Sequence, residues 1–127
     1  MCIAMNGRAK GRAGEQQMCR WIAEHLNLNA ERNLEQTRDG GADIVVHPFS
    51  FEVKRVENLD VDGAWHQCAV ASKVNGHEPV LAFRKNREPW KFAVSARHIE
   101  LDVGYVIMNE RTFKRWALRY LGCTSHA

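Results

Sequence analysis

The chain has 127 residues, 45% of them hydrophobic and 26% charged, with a formal net charge of +3. That is room for one domain with a real core and too little for two, and a balance so mildly basic fits a nucleic-acid binder no better than many other proteins. Four cysteines without a C-x-x-C pair or a histidine pair beside them argue against a zinc module or a disulfide scaffold, and no stretch approaches the ~20 apolar residues of a membrane helix, so a soluble cytoplasmic protein is expected.

The chain opens on a Gly- and Arg-rich segment, "NGRAKGRAG", read as a flexible basic arm carrying Arg8, Lys10 and Arg12. Met18, Cys19, Ile22 and Leu26 then recur at helical spacing and predict a first helix through about residue 28. Residues 29–35 suit a short strand, and "TRDGG" breaks it. "ADIVV" and "SFEVKRV", joined through His47-Pro48, read as adjacent antiparallel strands. After the polar loop "ENLDVDG", residues 64–75 make a second helix, and "PVLAFRK" and "PWKFAVS" make another hairpin. The tail "NERTFKRWALRYLG" predicts a last helix, with Asn109 as cap and Gly122 as stop. The sum is a single α/β domain over residues 1–127, a mixed central sheet of about five strands flanked by helices.

Three charges in the first hairpin call for an account. Glu52 and Lys54 stand two apart on a strand, so the pleat turns them to one face, while Phe51, Val53 and Arg55 take the other. The hairpin returns the chain so that Asp43 lies near them. Glu15 joins from the first helix, at offsets of three, four, seven and eleven from Met18, Cys19, Ile22 and Leu26, which puts an acid on the core-facing stripe. An acid there is costly unless it reaches a metal or a cation. Taken singly, each group also reads as structural: an edge-strand ion pair for Glu52 and Lys54, a turn residue for Asp43. Together they suit phosphodiester hydrolysis, in which carboxylates hold a divalent cation and a lysine orients water and offsets charge on the phosphate.

In order, "KGRAGE" (Lys10 to Glu15), "GGAD" (Gly40 to Asp43) and "FEVK" (Phe51 to Lys54) resemble the PD-(D/E)xK nuclease superfamily, with Ala42 at the place of its namesake proline. Within it the chain looks most like the archaeal-type Holliday junction resolvases, small homodimeric nucleases found also in phage genomes, over residues 8–98. The resemblance implies a restriction-endonuclease-like fold and a Mg²⁺-dependent endonuclease, with Mn²⁺ able to substitute, acting on four-way DNA junctions as a homodimer. Glu15, Asp43 and Glu52 would surround the metal and Lys54 would assist the attacking water. Arg32 would match an arginine on the strand after the first helix, and Lys10 would touch DNA phosphate. Apart from the resemblance, Arg8 and Arg12 of the basic arm, and Arg38, are expected as further DNA contacts by their charge. The sequence departs from the resolvases between Arg32 and Asp43, where "NLEQTRDGG" carries Thr37 and Arg38 in place of a serine-containing loop.

Gln67 sits on the second helix with Val70, Ala71 and Val74 at offsets of three, four and seven, a stripe that would face the sheet and bring the amide near the site; a surface amide is the other reading. "GRAKGRAG" lacks the phosphate-loop pattern and follows no strand, so no nucleotide cofactor is expected. Dispersed histidines read as surface or core imidazoles, and Trp21, Trp65, Trp90 and Trp116 as core. Three functions fit: a junction-selective dimeric endonuclease, a less selective nuclease or nickase on branched or duplex DNA, and a DNA-binding module without catalysis. The last should lack one of Glu15, Asp43, Glu52 or Lys54, and none is missing.

Overall fold

In the computed structural model, which describes residues 7–34 and 41–124 apart from the side chains of 7–10, 75 and 124, helices and strands follow a simple order. The elements are α1 (Gly7–Leu26), β1 (Ile44–Val46), β2 (Phe49–Arg55), α2 (Val61–Asn75), β3 (Glu78–Arg84), β4 (Lys91–Ser95), a 3₁₀ turn (Ala96–Ile99), β5 (Tyr105–Asn109) and α3 (Glu110–Thr124). The five strands form one sheet in the order β1-β2-β3-β4-β5. β2 and β3 run parallel, connected by α2, and every other neighbouring pair is antiparallel. This is a mixed α/β sheet of five strands with three helices, as the sequence predicts.

The strand period of two sorts side chains between two faces. Phe49, Phe51, Val53, Val80, Phe92 and Val94 pack with Met18 and Ile22 of α1 and Phe113 and Ala117 of α3 into the larger core. Phe92 and Phe113 stack at 4.0 Å between ring centroids. Burial of side chains this size is worth about 1.5–3 kcal/mol each. On the opposite face Leu81 and Ala93 meet Ala64 and Cys68 of α2. Glu52 and Lys54 belong to this second, thinner layer, where small helix residues leave room for charge.

Several boundaries differ from the sequence reading. The segment read as a basic arm is helical from Gly7, because α1 lies hard against β2: Gly14 is buried, and a Cβ there would meet Arg55 Cβ at 3.3 Å. α1 ends at Leu26 rather than 28, since Asn27 takes the left-handed conformation (φ 56°). Of the expected strand over 29–35, the described residues 29–34 form none beyond one isolated bridge from Arg32 to Ile44, and residue 35 lies outside the described residues. α2 starts at Val61 because Asp60 caps it, its Oδ1 accepting the Gly63 N–H at 3.1 Å. The fifth strand is instead β5, which runs straight into α3. Asn109 caps α3 as expected, accepting the Thr112 N–H at 2.8 Å, but Gly122 stays helical to Thr124, since glycine permits a left-handed stop without requiring one. Phe113 and Ala117 of α3 are core, leaving Leu118 as its exposed apolar residue. Among the described residues no helix is long and apolar enough to cross a membrane.

Candidate active site

The β1–β2 hairpin turns through a cis His47-Pro48 bond and pairs Ile44 with Phe51. Asp43 directly precedes this register, which sets it against Glu52. Its Oδ2 accepts the N–H of Val53 at 2.8 Å, in the middle of the Glu52-Val53-Lys54 segment. The Lys54 Nζ stands 3.9 Å from Glu52 Oε1. Asp43 is buried, and the Glu52 side chain is 14% exposed. The expected convergence of Asp43, Glu52 and Lys54 is therefore present.

Glu15 is buried on the core-facing stripe of α1, as its spacing predicts, and reaches a cation there: Arg32 Nε donates to its Oε1 at 3.2 Å. Burial and the negative charge of Asp43 push the Glu15 carboxyl above its ordinary value, while Arg32 and Lys54 oppose them. Glu52 is shifted further, up to about 8, first by burial and then by Asp43, against the pull of Lys54; a hydrogen bond with Asp43 and the charge of Glu15 add to the rise. Three acids thus share a field that one lysine and one arginine do not neutralise.

The raised Glu52 carboxyl, shifted first by burial and then by its acidic neighbours, marks a site that would gain from added positive charge. A divalent cation beside Asp43 and Glu52 would supply it, and an all-oxygen pair suits Mg²⁺ or Mn²⁺, which take one or two carboxylates and complete their shell with water. Among the described residues no group of three or more His, Cys, Asp and Glu side chains is arranged to hold an ion by itself. Glu15 is already paired with Arg32.

A cleft opens beside Lys54, lined also by Asn58, Asp60, Gly63 and Gln67. Gln67 reaches it from an exposed position, and the sheet-facing stripe of α2 is Ala64, Cys68, Ala71 and Ser72, with Val70 and Val74 more than half exposed. The expected stripe through Gln67 is thus rotated about the helix, because a helix of small residues gives little contrast between its faces. Asn58 carries no sequence signal of its own; a cap at Asp60 sets it just before α2 and beside the site. Cys68 lies under Glu52, its thiol pushed up to about 12 by burial and by that carboxylate, so it is an inert thiol at neutral pH. Arg12 is exposed on α1. Arg38 and the side chains of Arg8 and Lys10 lie outside the described residues.

No family model and no curated protein matches this sequence. A solved structure does: Hjc of Archaeoglobus fulgidus, a Holliday junction resolvase from an archaeal hyperthermophile, with a TM-score of 0.52 and 20% sequence identity over 80% of this chain and 85% of that one. At this identity the likeness is one of fold, and the fold of this chain is that of the resolvase: a mixed five-stranded sheet with three helices.

Proposed function

We propose that this chain is a metal-dependent endonuclease that hydrolyses phosphodiester bonds at branched DNA, four-way junctions above all, as a homodimer in the cytoplasm. The observation that carries the reading is the meeting of Asp43, Glu52 and Lys54 across one hairpin with a net deficit of positive charge. A bound Mg²⁺ or Mn²⁺ would neutralise the phosphate and acidify the attacking water. Asp43 and Glu52 would hold that ion, and Asp43 is fixed for the task by its bond to the Val53 amide. Lys54, on the same face as Glu52, would orient the water and offset charge developing on the phosphate. Glu15, steadied by Arg32, would add a third acid from α1. Gln67 and Arg12 would meet the DNA flanking the cut, and two-fold symmetry would present two such sites to opposed strands.

The test is cleavage of a synthetic four-way junction beside a duplex of the same arms, in Mg²⁺ and in Mn²⁺. Preferential junction cutting is expected, with Lys54→Ala and Asp43→Asn each reducing the rate by about a hundredfold or more. Full activity in either variant would overturn the site assignment. Equal cutting of junction and duplex would select a less selective nuclease, and binding without cutting in either metal a non-catalytic DNA-binding module.

A further inference from the structure

We infer that Arg55 and Arg84 form a phosphate-binding site, distinct from the carboxylate cluster, that holds a second phosphodiester of the DNA backbone. The inference takes from the nuclease reading only the source of the phosphate. Arg55 and Arg84 end β2 and β3 and are register partners on adjacent parallel strands, so both side chains leave the same face of the sheet. Neighbouring strands lie about 4.8 Å apart, which sets two guanidinium stems side by side. Like charges so placed repel unless something between them is negative.

The described residues do not supply it. Among the described residues no carboxylate is within ion-pair distance of either arginine. Glu110, the acid whose charge reaches Arg84, accepts the indole N–H of Trp21 at 2.8 Å, and Glu57 accepts the Asn86 amide at 2.9 Å. Among the described residues the Nε atoms of Arg55 and Arg84 are both buried without a hydrogen-bond partner, an uncommon state for such strong donors; being buried they are out of a phosphate's reach, and the terminal Nη groups would be what it meets. Burial and the charge of Arg55 push Arg84 below its ordinary value.

Arg84 is nevertheless held in place. Its Nη2 donates to Gln17 Oε1 of α1 at 2.7 Å, its Nη1 to the Glu88 carbonyl at 3.4 Å, and its guanidinium lies 5.2 Å above the Trp90 ring. A fixed fork beside a second that has no partner among the described residues suits an oxyanion, which guanidinium groups bind bidentately. Lys54 and Arg55 leave opposite faces at the end of one strand, so a backbone crossing that end passes both.

The test uses the whole protein with divalent ions chelated, so that cleavage does not enter the readout. Inorganic phosphate should raise the melting temperature of the wild type and leave that of an Arg55→Gln, Arg84→Gln double variant unmoved. Without phosphate, Arg55→Gln should melt at or above the wild type, because it relieves repulsion; a merely structural arginine would melt lower with and without the anion. For DNA, each lost contact should weaken binding about tenfold and reduce the slope of log affinity against log salt by about 0.9. Wild-type slope and wild-type phosphate response in Arg55→Gln would overturn the inference, and a phosphate response with no change in DNA binding would overturn the backbone assignment. Should Arg84→Gln fail to fold for want of its Gln17 and Trp90 contacts, Arg55→Gln, which breaks no hydrogen bond of its guanidinium Nε, carries the test alone. Wild-type protein that binds DNA with the expected slope but never cuts it would remove the nuclease reading and leave this site standing.

Discussion

Glu78, buried, and Glu52, its side chain 14% exposed, are acids on neighbouring strands, and the protein treats them in opposite ways. Glu78, 4% exposed at the start of β3, is surrounded by donors: Arg97 pairs with it, His98 Nε2 lies 2.5 Å away and the Tyr120 hydroxyl 3.5 Å. Glu52 has one lysine at 3.9 Å and two further acids in its field. A buried charge met by matching donors is a structural joint; one left among its own kind keeps an interaction in reserve for something that is not protein. The contrast separates frame from site without reference to any relative.

The contrast can be broken by mutation, and the largest effect should fall on the satisfied acid. Glu78→Ala leaves His98 and Tyr120 without their acceptor and should cost about 3 kcal/mol in urea denaturation. A loss below that of an ordinary surface change would show that the network holds nothing together.

Glu52→Gln should act with the opposite sign. Its folded carboxyl titrates near 8 against a usual value of 4.5, so the native state binds more protons than the unfolded chain between those values, and wild-type stability falls as pH rises through that window. Glu52→Gln removes the titration. It should melt above the wild type at pH 8, by about 4 °C for each kcal/mol released, and the gap should close at pH 5. A gap that is independent of pH would contradict the account of Glu52.

A smaller effect should come from the ion itself. Saturating Mg²⁺ at pH 8 should raise the wild-type melting temperature by a few degrees, a gain that chelation reverses and that Glu52→Gln lacks. The smallest is a baseline for both acids. Asn109→Ala removes only the cap of α3, should cost about 1 kcal/mol, and should cost the same at pH 5 and pH 8.

Much of the site was legible because its signals are local. Alternation of period two fixed the shared face of Glu52 and Lys54, a short hairpin brought Asp43 back to them, and helical offsets put Glu15 on the inner stripe. What escaped depended on contacts distant in sequence or on weak contrast. β5 was hidden because Asn109 ends a strand and caps a helix with no turn between them. The first two turns of α1 read as a loose arm because glycine content says nothing of the close approach to Arg55 that makes Gly14 useful. The Arg55–Arg84 pair needs the parallel register of β2 and β3, which no local pattern encodes.

The bond from the Val53 amide to Asp43 has a consequence for assembly. It closes a short stretch of chain, and short loops close early and at little entropic cost, whereas α1 must dock across a longer separation. Asp43, Glu52 and Lys54 therefore come together with the hairpin itself, and Glu15 reaches Arg32 only when α1 settles on the sheet. Loosening α1 should accordingly withdraw Glu15 first and leave Asp43, Glu52 and Lys54 in register.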